Sequence, residues 1–124
     1  MTDLTNIRLS SFASDIAEEL ASRYNFRDAL SFFHFAMAYA LSNHYQEIDF
    51  AKLDAEYDSL GKNYNVGSIK KAALISSVLR QIFPESETIP YRYIRVLMIY
   101  GTYKIKERLD KGEKFSDIIA VTNS

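Results

Sequence analysis

A chain of 124 residues with 48% hydrophobic residues, nine tyrosines and eight phenylalanines is long and apolar enough to fill one core, which excludes a disordered chain. The absence of cysteine excludes a disulfide scaffold, a zinc ribbon and a cysteine nucleophile. The net charge of −1 gives no overall pull toward polyanions, but residues 1–61 carry ten acids and four bases, and residues 62–124 carry six acids and eleven bases, balances of −6 and +5.

In chain order, Met1 to Asp3 reads as a loose end and residues 4–9 as a short extended piece or an early helical turn. Ile7 and Leu9 alternate there with Asn6, Arg8 and Ser10, the period of a strand with one apolar face. A period near 3.6 follows at Phe12, Ile16, Leu20 and Tyr24, so a first helix is expected from Ser10 or Ser11, with a serine as N-cap, to about Arg23. Asn25 suits the left-handed residue that ends a helix, and Asp28 suits the cap of a second one over about 28–43. That second helix is apolar nearly all round, so it is expected to be buried all round, either as the central helix or, across residues 32–41, at a subunit interface.

Residues 44–67 are the least regular part, with a short helix near residues 50–57 and turn chemistry at Gly61, Asn63, Asn65 and Gly67. A third long helix is expected from Ser68, with its stripe through Ile69, Ala72, Leu79 and Phe83. An acidic connector runs from Pro84 to Pro90, and the latter suits the first turn of a further helix. That helix carries Ile94, Leu97, Met98, Gly101, Ile105 and Leu109 at spacings of three and four, and Gly112 reads as its left-handed stop. Gly101 lies on the apolar stripe, so close approach of another helix is expected there. A last short helix is expected from Phe115 to about Val121. No internal repeat is visible. The expectation is one mainly α domain over residues 1–124: a compact fold of four to five helices with a ribbon–helix–helix-like start at 4–43, an irregular segment at 44–67 and C-terminal helices at 68–121.

The chemistry-bearing residues point to binding rather than catalysis. If Ile7 and Leu9 face the core, Asn6, Arg8 and Ser10 face out, and in a two-chain ribbon Asn can pair with adenine and Arg with guanine. The plainer reading of these three is a solvated edge strand. Arg27 stands at the start of the second helix, where exposed amides and a guanidinium can grip phosphate, or where Asp28 simply caps. Lys70 and Lys71 fall in the first turn of their expected helix, a place the macrodipole does not favour for cations, which suggests an external anion. Arg92, Arg95 and Lys106 share the flank opposite Leu97 and Ile105, either as phosphate contacts or as a solvated face.

His34, among Phe32, Phe33, Phe35 and Met37, reads as a satisfied core or interface histidine, and His44 as a residue at a helix end. Two histidines ten apart without a third ligand in phase do not make a metal site. Asp54, Glu56 and Asp58 resemble the opening of a calcium loop, but Ser59 and Asn65 stand where a glycine and a bidentate glutamate are needed. No nucleophile–base arrangement can be named. No enzyme activity, cofactor or metal is expected, and neither a membrane span nor a signal peptide, so the expected location is cytoplasmic.

The order of features resembles the small E component of the Dnd-type DNA sulfur-modification (phosphorothioation) systems. The resemblance runs through Ile7-Arg8-Leu9-Ser10, the two helices after it, the turn-rich stretch from Asn63 to Gly67, Leu79-Arg80-Gln81, the apolar stripe through Gly101, and Phe115-Ser116-Asp117-Ile118-Ile119. It implies a helical protein that assembles into a homo-oligomer, a dimer or tetramer, and binds duplex DNA through lysine-rich surfaces. It also implies a preference for nicked DNA and action beside the cysteine desulfurase and iron–sulfur proteins of such a system. It transfers no catalytic residue, and Arg8, inside the matched opening, is the one residue carried over.

Three functions are therefore open. The first is a non-catalytic, oligomeric DNA-binding accessory protein of a DNA modification, restriction or host-defence system. The second is a ribbon–helix–helix-like transcriptional regulator that reads bases from a dimeric ribbon. The third is a protein–protein adaptor that does not touch DNA.

Overall fold

The computed structural model describes the backbone of residues 1–123 and the side chains of residues 1–120. Strand β1 (Asn6–Arg8) leads into helices α1 (Ser11–Arg23) and α2 (Ala29–Asn43). A 3-10 turn at Tyr45–Glu47 and the short α3 (Phe50–Glu56) connect them to β2 (Asn63–Asn65). After a 3-10 turn at Val66–Ser68 come α4 (Ala72–Ile82), a 3-10 segment at Pro84–Thr88, α5 (Pro90–Asp110) and α6 (Phe115–Asn123). The fold is mainly α. The described residues hold six α-helices rather than four to five, because both of the short expected segments are helical.

The local signals act where the sequence places them. Ser10 caps α1 by accepting from the Ala13 amide at 3.2 Å, and Asp28 caps α2 by accepting from the Ser31 amide at 2.8 Å. Asn25 sits at φ 61° and Gly112 at φ 89°, both left-handed, the second closing α5 as its amide and that of Glu113 bond back to Leu109 and Arg108. The third long helix starts later than expected, at Ala72. Ile69 turns back instead on Val66, and Lys71 adopts a left-handed conformation at φ 54° just before the first helical turn. Lys70 and Lys71 thus precede α4 and do not occupy its first turn.

The apolar second helix is the central one, and this chain itself covers it. α2 packs most extensively on α5, and α1 and α6 close on its other sides. Phe32 and Phe33 are fully buried, each contributing about 1.5–3 kcal/mol of burial. Phe115 brings α6 onto this core by stacking on Tyr24 at 4.2 Å and meeting Phe26 and Phe35 edge-on or tilted at 5.9 and 5.5 Å. α2 and α5 touch backbone to backbone at Gly101, where an added Cβ would lie 1.9 Å from the Ala36 carbonyl oxygen, the close approach that the glycine implies. No helix among the described residues is long and apolar enough to cross a membrane.

Two features depart from the sequence reading. The extended N-terminal segment does not wait for a second chain, because β2 pairs antiparallel with β1, Asn6 opposite Asn65, Ile7 opposite Tyr64 and Arg8 opposite Asn63. The pairing extends past both strands: Val66 donates to Thr5 O at 3.2 Å, Leu9 to Lys62 O at 2.8 Å and Gly61 to Leu9 O at 3.0 Å. There is also an internal repeat, of topology and not of residues. β1–α1–α2 is followed, after α3, by β2–α4–α5, the two strands pair with each other, and the second helices of the two units pack on each other. Alignment of residue identities misses it because strand and helix periods can recur with different side chains.

Candidate nucleic-acid interface

The ribbon alternates as its sequence does. Ile7 and Leu9 are fully buried, whereas Asn6, Arg8, Asn63 and Asn65 are exposed on its outer side. Its inner side rests on the helix pair: Tyr64 meets the Phe33 ring of α2 edge-on at 6.4 Å, and Arg95 of α5 donates to the Arg8 carbonyl at 2.8 Å. Burial raises the Tyr64 pKa, as expected for a phenol half enclosed beneath the strands. Among the described residues the side chains of Asn6, Arg8 and Asn63 make no hydrogen bond or ion pair, so their donors and acceptors face solvent unpaired. Asn65 differs, because its Oδ1 accepts from the Gly67 amide at 2.7 Å and holds the turn that leaves the ribbon.

Sequence reasoning missed Asn63 and Asn65 as partners of this face, taking them for turn residues. The signal was present in Asn63-Tyr64-Asn65-Val66, which alternates as Asn6-Ile7-Arg8-Leu9 does. Ser10 does not belong to the face. It is buried beneath α1, with its hydroxyl 2.6 Å from the Tyr103 hydroxyl, because the chain has already turned into its helical cap.

A second group lies at the start of α2. Arg27 is 70% exposed, with its Nε 3.6 Å from the Asp28 carboxylate. Hydrogen bonds from Ser31 hold the Asp28 pKa below the usual carboxylate range, with smaller contributions from Arg27 and Lys70. The Lys70 amide donates to His34 Nε2 at 3.1 Å, and His34 Nδ1 lies 2.9 Å from Leu30 O. His34 is thereby a satisfied histidine that ties the segment before α4 to α2. Lys70 and Lys71 form no ion pair among the described residues.

The other three basic candidates are occupied. Arg95 is only 4% exposed, and its guanidinium binds the Asp54 carboxylate, the Tyr57 and Asp58 carbonyls and the Ser59 hydroxyl. It fails as a surface residue because α5 is buried on all sides from Tyr93 to Ile99 and has no solvated flank there. Arg92 donates to Thr2 O at 2.7 Å and pairs with Asp54 at 3.3 Å, and Lys106 pairs with Asp110 one turn on at 3.0 Å. Of the eleven bases in the second half, seven pair with carboxylates among the described residues, so the +5 balance does not form one cationic face. The amides at the start of α5 are likewise taken, since Asp3 accepts from Tyr91 and Arg92 at 3.2 and 3.1 Å.

One further polar cluster ties α2 to α5. His44 at the end of α2 bonds Glu47 through Nδ1 and the Tyr39 hydroxyl through Nε2 at 3.3 Å, Arg108 donates to that hydroxyl at 3.2 Å, and Tyr100 donates to Glu47 at 2.8 Å. The Tyr100 hydrogen bond holds the Glu47 pKa below its ordinary 4.5, so the associated stability is present above about pH 4.5 and is lost as pH falls through the depressed value. Glu47→Gln is expected to narrow the fall in Tm between pH 6 and pH 3, and an unchanged fall would remove this residue from the acid response. No group of three His, Cys, Asp or Glu that could hold a metal ion is found among the described residues, and Asp54, a candidate in the calcium-like run, serves Arg92 and Arg95 instead.

No protein-family model, curated protein or solved structure matches this chain.

Proposed function

We propose that this chain is a non-catalytic duplex-DNA-binding protein that lays its β1–β2 ribbon in the major groove. The observation that carries the reading is the outer face of the ribbon, where the Asn6 and Asn63 amides and the Arg8 guanidinium stand exposed and unpaired on a rigid, core-backed pair of strands. A major groove about 12 Å wide admits a two-stranded ribbon, Arg reads guanine bidentately, and Asn reads adenine. Arg27 at the start of α2, with Lys70 and Lys71 just before α4, supplies phosphate contacts. The notion of a wide lysine and arginine surface over α5 gives way to this smaller set, because the bases there are bound to the chain's own carboxylates.

The near-neutral chain steers DNA weakly, so binding depends on few ion contacts. Three phosphate contacts imply that log K falls against log salt with a slope of about −3. Fluorescence anisotropy with duplex DNA at increasing salt tests this. Arg8→Ala is expected to cost about tenfold on a preferred duplex and to flatten the sequence preference. The Lys70→Ala, Lys71→Ala double variant is expected to weaken all duplexes alike and to reduce the slope by about 2. No duplex binding at low salt, in protein shown to be folded by circular dichroism, overturns the proposal.

A place among the proteins of a DNA modification or host-defence system, as the resemblance implies, fits a reader without chemistry of its own. One observation also favours a protein contact: Leu74 and Val78, one turn apart on α4, are 60% and 38% exposed beside Lys71. An adaptor acting only through α4 would lose partner capture on Leu74→Ser and would be indifferent to Arg8→Ala.

A further inference from the structure

We infer that a single chain fills a complete DNA site, without a second copy, and that this site is not a palindrome. The inference rests on the ribbon reading above and deepens it. A reader built from two identical chains carries its two-fold axis between them, and its operator mirrors that axis. Here both strands of the ribbon belong to one chain, each at the head of its own strand–helix–helix unit. A second copy cannot take the place of β2 without breaking the pairing that runs from Thr5–Val66 to Leu9–Gly61. On the opposite edge of β1 the Arg8 carbonyl is taken by the buried Arg95.

The two halves of the reading face are unlike. In the antiparallel register, with Ile7 opposite Tyr64 at the centre, rotation about that centre exchanges Asn6 with Asn63 and Arg8 with Asn65. The first pair is chemically identical. The second differs twice, since one member is a free guanidinium and the other a shorter amide whose Oδ1 is already committed to the Gly67 amide. Residues two apart on a strand lie about 6.8 Å from each other, or about two base steps of 3.4 Å. One side of the centre is therefore anchored by a guanine under Arg8, with Asn63 opposite it to read an adenine. The other side, about two steps away, has an adenine under Asn6 and only a weak preference beneath Asn65. The ligand class is a short, asymmetric duplex with guanine on one side of its centre.

Selection of bound duplexes from a randomised pool, with the full chain and with Arg8→Asn, decides the matter, together with native mass spectrometry of each complex. The exposed Arg8 side chain makes no hydrogen bond or ion pair among the described residues, so Arg8→Asn removes no bond of the fold, and it gives both halves the same pair of side chains. The expected result is one chain per duplex, an asymmetric consensus with guanine on one side for the natural sequence, and loss of that guanine with a more symmetric consensus for Arg8→Asn. Enrichment of guanine at its position should drop about tenfold or more. A palindromic consensus from the natural chain, or two chains on each site, overturns the inference and leaves DNA reading by the ribbon standing. Absence of any duplex binding overturns both.

Discussion

Replacement of Arg95 by methionine is expected to remove about 3–5 kcal/mol of folding stability, the cost of breaking a buried charge network from one side. Methionine restores the apolar stem and none of the donors. The guanidinium is 4% exposed and gathers the Arg8, Tyr57 and Asp58 carbonyls, at 2.8, 3.1 and 2.7 Å, with the Ser59 hydroxyl and the Asp54 carboxylate. Without it three carbonyls of partly buried hydrogen bonds lose their donor, and Asp54 keeps only Arg92. The damage is directed, because those acceptors belong to β1 and to the segment that carries the chain from α3 to β2. Chemical denaturation gives the energy, and hydrogen exchange should show protection falling first from residue 57 to residue 65. Arg95→Lys should recover only part of the loss, since one ammonium cannot span the acceptors that a planar fork reaches. A loss below about 1 kcal/mol for Arg95→Met would mean that the network is decoration and that the ribbon is held by its own pairing.

Gly101→Ala is the second large effect, expected to cost about 2–3 kcal/mol although alanine is the better helix former by about 1 kcal/mol. The new Cβ would lie 1.9 Å from the Ala36 carbonyl oxygen and 2.6 Å from its carbon, and neither atom is the end of a flexible side chain. α2 and α5 have to separate, and their contact is the largest in the molecule. The fully buried Phe33, Leu97, Met98 and Ile105 would lose packing as the helices part. Denaturant midpoints of the two proteins measure the effect, and a stabilised Gly101→Ala variant would show that the helices do not meet at that point. Because the ribbon rests on these two helices, a weakened pair should also lower the duplex affinity proposed for the folded protein.

Much of the scaffold was readable in the amino-acid order. The caps at Ser10 and Asp28, the left-handed stops at Asn25 and Gly112, the burial of the helix around Phe32 and the close approach at Gly101 all follow from chemistry within a turn or two. So did the alternation that turns Asn6 and Arg8 outward. The beginning of α4 was misread because Ser68 is an acceptable cap, yet Ile69 bonds back to Val66 and delays the helix to Ala72. The candidate site was half legible: Asn6, Arg8, Arg27, Lys70 and Lys71 lie outside the core, and Ser10, Arg92, Arg95 and Lys106 are used within the fold.

The sequence by itself determined the helical elements, most of their ends and the apolar faces they bury, because propensity, capping and periodicity act between residues a few places apart. Tertiary structure alone decided that the ribbon closes within one chain, that strand–helix–helix occurs twice, and that most second-half cations meet carboxylates at home. Arg95 makes the reason plain. It joins α5 to acceptors 36 to 87 residues away, and a charge at that separation has no local period or cap to mark whether it will face water or the interior.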